Sequence, residues 1–287
     1  MNTWTVTEKE SGTKLLAFIK DKLGDAHSAR HLKRAIESNL CKVNGRVERF
    51  ASHIVGKGDK IILHLELETD KPKDTGTSHI LYEDDDILIY NKAAGIVSDG
   101  KELAKMGYEL CHRLDKETTG ALIFAKSVPV RELIFQLFRE HEIKKTYLAI
   151  VDGVPPKKKG VINNYLGKLH AYEGQALWGA VSPDKGLSAH TEWQVEAKGK
   201  EASLVRCYPK TGRTHQIRVH MNGMGHPILG DFQYCRKFKC TYKPGRILLH
   251  AAEVEFVHPV SGQVVRVEAP LPKDFKEAME ALRLVKY

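Results

Sequence analysis

No apolar run in this chain approaches the ~20 residues needed to cross a bilayer. Its first residues, Met1-Asn2-Thr3-Trp4-Thr5-Val6, lack the basic start and apolar stretch of an export signal. Both absences lead to the expectation of a soluble, cytoplasmic protein with no membrane partner. Cysteine is sparse as well. The five, Cys41, Cys111, Cys207, Cys235 and Cys240, are odd in number and scattered, which argues against a secreted disulfide framework and for reduced thiols. Cys235 and Cys240 have no second Cys or His pair at zinc-ligand spacing, and none of the 14 histidines forms H-E-x-x-H, so no metal site is expected. There is no internal repeat and no low-complexity tract.

What is present is positive charge and enough apolar content for real cores. The 287 residues carry a formal net charge of +9, a pI near 9.1 and 42% hydrophobic residues. Clustered Lys and Arg release counterions when they neutralise phosphates, so the balance is compatible with a polyanionic partner without requiring one. Length alone suggests roughly two domains.

Residues 1–70 read as a small α+β unit. Leu15, Leu16, Phe18, Ile19 and Leu23 recur on one helical face that Gly24-Asp25 terminates. A second helix after Ser28 turns Leu32, Ala35 and Ile36 inward and Arg30, Lys33 and Arg34 outward. A strand at Cys41-Lys42-Val43, an Asn44-Gly45 hairpin signal and a strand from Ile61 to Leu65 follow. The unit holds twelve Lys and Arg against ten Asp and Glu, so only the local cluster on the second helix favours phosphate over a solvated face. Residues 71–78, rich in Pro, Gly, Ser, Thr and charge, have a linker's composition.

Residues 79–287 read as a second, mixed α+β domain. Strands are predicted at Ile87–Tyr90, Ala121–Ala125, Tyr147–Val151, Ser203–Cys207 and Arg246–His250. A helix after Ser127 is predicted to use Leu133, Ile134, Leu137 and Phe138 as its apolar stripe. Strands and helices do not alternate regularly, which disfavours a doubly wound parallel sheet. Pro155-Pro156-Lys157-Lys158-Lys159-Gly160 is a basic loop.

Four blocks stand out in this domain. They are His112-Arg113-Leu114-Asp115-Lys116-Glu117-Thr118-Thr119-Gly120, Lys145-Thr146-Tyr147-Leu148-Ala149, Thr211-Gly212-Arg213-Thr214-His215-Gln216-Ile217-Arg218-Val219-His220-Met221, and Gly225-His226-Pro227-Ile228-Leu229-Gly230-Asp231. In content and order they resemble the RluA-type pseudouridine synthases of ribosomal and transfer RNA. The N-terminal unit resembles the RNA-binding module named after ribosomal protein S-four. The resemblance implies a catalytic domain with a mixed, largely antiparallel sheet and flanking helices, and it covers about residues 79–272.

A pseudouridine synthase breaks the bond from uracil nitrogen 1 to ribose, turns the base and rejoins it through carbon 5. No electrons are exchanged and no group is donated, so no cofactor is expected. The reaction needs a nucleophile able to bond the nucleotide, and a carboxylate can serve. The resemblance assigns that role to Asp115, with either ribose carbon 1 or ring carbon 6 as its target. Arg218 matches the family arginine that pairs with it, although Ile217, Met221 and Met224 also fit an amphipathic helix with Arg218 on its edge. Tyr147 matches the family tyrosine lining the extruded base, a residue that composition alone would place in the core. Arg113 matches an arginine associated with the space the base vacates, His112 is its neighbour in the motif, and Arg213 is a candidate backbone or phosphate contact.

Two departures from the family pattern occur. Thr119 stands where serine is common, and Asn91-Lys92-Ala93-Ala94-Gly95 lacks the proline usual after the lysine, a change expected to loosen that loop. The substrate expected from the resemblance is large-subunit ribosomal RNA, and the chain is expected to act as a monomer. The alternatives are a synthase of transfer RNA and a non-catalytic RNA-binding or ribosome-assembly protein. A metal-dependent nucleic-acid hydrolase is disfavoured by the lack of a clustered ligand set.

Overall fold

The computed structural model describes residues 2–24, 27, 29–37, 40–48, 50–64, 79–98, 107–172 and 175–286. The chain divides into two compact units, Met1–Asp74 and Thr75–Tyr287. The segment 71–78 assigned to a linker lies outside the described residues.

The first unit contains β1 (Asn2–Thr5), α1 (Leu15–Leu23), α2 (Ala29–Glu37), β2 (Cys41–Val43), β3 (Arg46–Val47) and β4 (Lys60–Leu63), with sheet order β1-β4-β2-β3. Its core gathers Leu15, Phe18 and Ile19 of α1, Leu32, Ala35 and Ile36 of α2, and Ile61 and Leu63 of β4. Asn44 and Gly45 both adopt positive φ, 51° and 79°, as a tight hairpin with the twist of its strands requires. Strand β1, antiparallel to β4, has no counterpart among the predicted elements. Lys33 is exposed on α2. Arg30 and Arg34 also fall within α2, but their side chains lie outside the described part of the structure.

The second unit carries β5 (Ile80–Glu83), β6 (Ile87–Lys92), β7 (Glu109–Leu110), β8 (Thr119–Ala125), α3 (Val128–Arg139), β9 (Lys144–Asp152) and β10 (Lys159–Tyr172). It continues with β11 (Gln175–Val181), β12 (Leu187–Lys198), β13 (Ala202–Pro209), α4 (Gln216–Gly223), β14 (Leu249–Val257), β15 (Val264–Glu268), α5 (Lys273–Ala281) and β16 (Val285–Lys286). The strands form one sheet in the order β11-β10-β12-β13-β9-β14-β8-β6-β5, with β15, β16 and β7 branching from it. Among the described strands the one parallel pair is β8 with β14. This is the mixed, largely antiparallel α+β architecture expected from the sequence.

Every residue of β8 is buried, which accounts for its unbroken apolar run. Ala121, Ile123 and Ala125 pack with Val130 and Ile134 of α3, while Leu122 and Phe124 pack on the other face with Leu88, Leu114 and Ala251. Ser127 caps α3, its Oγ accepting the Val130 N–H at 3.4 Å. Leu133, predicted to face inward, is 40% exposed; the buried stripe runs Val130, Ile134, Leu137, Phe138, a period that places Leu133 on the outer side. The strand predicted from Arg246 begins at Leu249. Residues 246–248 instead cross the 229–230 turn, where the Leu248 N–H bonds the Leu229 carbonyl at 3.0 Å.

The parallel pairing explains the glycine that ends the first block. Gly120 has φ +110°, and a β-carbon there would lie 2.1 Å from the Ala251 carbonyl oxygen. Gly120→Ala is therefore expected to lower unfolding free energy by more than about 3 kcal/mol. Gly225, with φ +80° and nothing within 4 Å of its virtual β-carbon, is the control. Alanine there should cost about 1–2 kcal/mol, from conformation alone. Equal losses in urea unfolding would show that strand contact does not fix Gly120.

Candidate active site

The loop between β7 and β8 alternates its side chains: Arg113 points to solvent, Leu114 into the core, and Asp115 is half-buried. Leu114 is anchored twice by Ser98, whose hydroxyl donates to the Leu114 carbonyl at 2.9 Å and accepts its N–H at 3.2 Å. The Thr118 N–H bonds back to the Asp115 carbonyl at 3.0 Å, turning the chain into β8. Burial, two anchors and a turn thus place one carboxylate at the end of a fixed strand.

Lys92 supplies the second clamp. It is 1% exposed, and its ammonium donates to the carbonyls of Ala93, Ile96 and Lys116 at 2.9, 3.0 and 3.1 Å. Burial lowers its pKa to about 8, against the pull of Glu117 and Asp115. The loop that lacks the family's proline is therefore tied down by three carbonyl bonds to one cation, one of them to the residue after Asp115. Thr119 keeps the hydroxyl of the serine it replaces and uses it, 2.8 Å from His250 Nδ1.

Arg218 reaches Asp115 from α4. Its Nη1 donates to Asp115 Oδ2 at 3.2 Å, its Nε and Nη2 clasp Asp231 at 2.7 and 2.9 Å, and Nη2 also donates to Gln233 Oε1 at 2.7 Å. Arg218 is 4% exposed, so it does not lie on the helix edge. Residues Gln216 to Met221 are all buried, and α4 is enclosed rather than amphipathic. Burial works against the charged guanidinium, but Asp231 and then Asp115 outweigh it and raise its pKa. Gly230, at φ +84° beside the Arg246 carbonyl, permits the turn that delivers Asp231.

His215 opens α4 in a left-handed conformation, φ 56°. Its Nδ1 is 2.8 Å from the Tyr234 hydroxyl, which accepts the Trp178 N–H at 3.2 Å. Its Nε2 lies 3.9 Å from Asp115 Oδ1. Burial, then Arg218, lowers the His215 pKa, against the pull of Asp115 and Asp231. The Tyr234 ring lies 5.0 Å from the Arg218 guanidinium.

Tyr147 is half-buried, packed with Leu88, Leu114 and Ala251. Its hydroxyl is pushed above the ordinary phenol range by burial and then by the Asp115 carboxylate. The other sequence candidates divide. Arg113 is exposed, and Arg213 donates from Nε to the Ser188 carbonyl at 2.9 Å. His112 is committed to the fold at Nε2, which accepts the Ile123 N–H at 3.0 Å. Its ring sits 5.1 Å from that of Phe138, and burial, then Lys145, lowers its pKa to about 3. Asp231 stood in the fourth block and Lys92 in the Asn91–Gly95 segment without being singled out. Gln233, Tyr234 and Ser98 carried no sequence signal.

A half-buried carboxylate with a buried guanidinium behind it has the chemistry to bond a nucleotide, and similarity points the same way. A family model described as RNA pseudouridylate synthase matches residues 86–223. An uncharacterised RNA pseudouridine synthase of Bacillus subtilis is 33% identical over 294 residues, spanning 94% of both chains. The chain belongs to the RNA pseudouridine synthases. Ribosomal large subunit pseudouridine synthase D of Haemophilus influenzae is 31% identical over 294 residues, 90% of this chain and 87% of that one. Synthase C of Escherichia coli is 36% identical over 224 residues, 71% of this chain and 70% of that one. Among solved structures, human RNA pseudouridylate synthase domain containing 4 superposes with a TM-score of 0.61 at 27% identity, covering 72% of this chain and 93% of that one. The RluA-type resemblance therefore holds, and the protein is an isomerase that makes pseudouridine in RNA.

One His and carboxylate cluster of this pseudouridine synthase lies elsewhere, at Asp84, Asp86 and His258. His258 Nδ1 accepts the N–H groups of Val260 and Ser261 at 3.2 and 3.1 Å, which places its proton on Nε2, 3.3 Å from Asp84. His258 Nε2 is buried and makes no hydrogen bond among the described residues, and the cluster lies away from Asp115.

Arg218 has one partner inside and one at the surface of the site, and their removal should differ. Asp231→Asn leaves a buried guanidinium short of charge and is expected to cost about 3–5 kcal/mol. Asp115→Asn, at the more exposed end, should cost under about 1 kcal/mol. Urea unfolding of the two variants checks this. A larger loss at Asp115 would mean the arginine is anchored from the substrate side.

Proposed function

We propose that this synthase modifies uridines of large-subunit ribosomal RNA, using Asp115 as nucleophile on an extruded nucleotide. The observation that carries the reading is the buried Arg218 held by Asp231 while its free edge meets Asp115. A guanidinium fixed before substrate arrives holds the carboxylate in one position and faces the charge that changes at the reacting centre. The carboxylate bonds the nucleotide, the nitrogen 1 to ribose bond breaks, the base turns, the carbon 5 to ribose bond forms, and the bond to the carboxylate is broken to free Asp115. Carbon 5 then loses a proton while nitrogen 1 gains one. Electrons and atoms balance without a cofactor or metal.

Tyr147 offers its ring to the extruded uracil, since a base inside a helix is out of reach of any carboxylate. Arg113, exposed beside Asp115, is suited to fill the place the base leaves, and Arg213 to hold backbone phosphate. His112 acts as support for the motif. The first unit, with Lys33 and the Arg30 and Arg34 positions on α2, acts as an S-four-type RNA-binding module. Large-subunit ribosomal RNA is favoured because relatives spanning 87–94% of their own lengths include a ribosomal large subunit synthase. The enzyme is expected to work in the cytoplasm as a monomer.

The deciding experiment maps pseudouridine in ribosomal and transfer RNA from cells lacking the protein. Sites lost from large-subunit RNA and restored by the parent, but not by Asp115→Asn, are the expected result. Loss confined to transfer RNA would move the substrate. Full restoration by Asp115→Asn would remove the nucleophile assignment.

Tyr147 separates stacking from proton transfer. Tyr147→Ala should weaken productive binding by roughly 1–3 kcal/mol, the worth of one base on one aromatic ring. Tyr147→Phe should restore affinity, and if the hydroxyl carries the carbon 5 proton it should still lose about 10²–10⁴-fold in kcat. Parental rate and affinity in the alanine variant would return Tyr147 to a packing role.

A further inference from the structure

A second cavity adjoins the site without including Asp115. It has a volume of about 490 Å³ and lies between the β10–β11 hairpin and α4, the helix that carries Arg218. That size falls within the ~300–1,000 Å³ of small-ligand pockets. Its walls contain no Lys, Arg, Asp or Glu. The histidine among them, His220, is fixed by Thr191 and Asn164 at 2.9 and 3.0 Å, and burial lowers its pKa to about 4, so it too is neutral. In a protein of net charge +9, a pocket next to the catalytic centre with no cation is not built for phosphate.

Its chemistry is that of nucleobase recognition. Trp178 lines the cavity together with Met224 and Val219, and three side-chain amides, Asn164, Asn222 and Gln233, lie in the same wall. Planar bases stack on aromatic rings, and carboxamides read their edges. The amides are unequally committed. Gln233 spends its oxygen on Arg218 and its nitrogen on the Ala176 carbonyl, 2.7 and 3.2 Å away. The Asn164 oxygen faces His220. Asn222, half-buried, has no side-chain hydrogen bond among the described residues.

We propose that this pocket receives a second nucleobase of the RNA substrate, stacked on Trp178 and read by Asn222, while the target uridine occupies the Asp115 site. The inference rests on the pseudouridine synthase reading and deepens it. Asp115 is not among the residues lining the cavity, which leaves room there for a nucleotide beside the one bonded to it. Continuity of the two sites supports this choice. Gln233 and Tyr234 line the pocket and are bonded to Arg218 and His215, the two groups that flank the nucleophile. A base seated there would rest against the residues that hold the catalytic arginine.

The test uses the full chain and a transcript of the ribosomal RNA segment containing its mapped target. Single abasic sites are placed at each nucleotide flanking the uridine. Trp178→Ala should raise KM about 5- to 150-fold with kcat within about threefold, because one stacked base is worth roughly 1–3 kcal/mol. Trp178→Phe, which keeps an aromatic face, should recover most of the loss and also shows that the fold tolerates change there. One abasic position should reproduce the KM effect in the parent and add nothing in Trp178→Ala, the signature of two partners in one contact. Asn222→Ala should change the preference for the base at that same position. Additive losses at every abasic position, or an unchanged KM in Trp178→Ala, would overturn the pocket assignment while parental turnover leaves the synthase reading intact. A parent enzyme without turnover on any RNA would overturn both.

Discussion

The buried guanidinium of Arg218 is the constraint around which the catalytic unit is arranged. Removing an arginine from water is costly, and attraction in a low-dielectric site repays that cost only when its donors are closely matched. Asp231 supplies a two-point clasp, Gln233 takes the same nitrogen from another angle, and Asp115 takes the remaining edge. Of the two carboxylates, Asp231 is enclosed and Asp115 keeps access to solvent. The same cation is therefore structural toward one acid and available for chemistry toward the other.

Holding that arrangement requires α4 to be enclosed and the Asp115 loop to be fixed, and both are met by polar groups used sparingly. Gln216 bonds Thr211, the Arg213 N–H, the His190 carbonyl and Thr191, satisfying the start of α4 inside the protein. Lys92 gives its three protons to three carbonyls, and Ser98 both donates to and accepts from one residue. Buried polar groups left without partners would cost more than these bonds return. The polar groups that position Asp115 are thus partnered inside the protein, the arrangement that preorganisation calls for.

Much of the fold was legible. The apolar run after Gly120 gave a strand, the period after Ser127 gave a helix, and Asn44-Gly45 gave a hairpin. The misses share a cause. Leu133 is apolar yet faces outward, because the helix face is chosen by what packs on it. Arg218 looks like an edge residue on a helical wheel and is buried, because residues 216–221 of α4 are all enclosed by the surrounding structure. Strand β11 and its hairpin, with the cavity they border, offered no period that stands apart from a solvated ribbon.

The amino-acid sequence by itself determined the candidate reactive group, the order of the four blocks and the two-unit organisation, since local pattern and residue chemistry are properties of short segments. Tertiary structure decided which charges meet. Arg218 and Asp115 are 103 residues apart, and Thr119 and His250 are 131 apart. Such pairings follow from strand order and register, above all the parallel contact of β8 with β14, and no local propensity encodes them. The role of Asp231 as the inner anchor, and of Lys92 in holding a loop that lacks the usual proline, emerges only when burial removes water as the alternative partner and forces each polar group to find one within the protein.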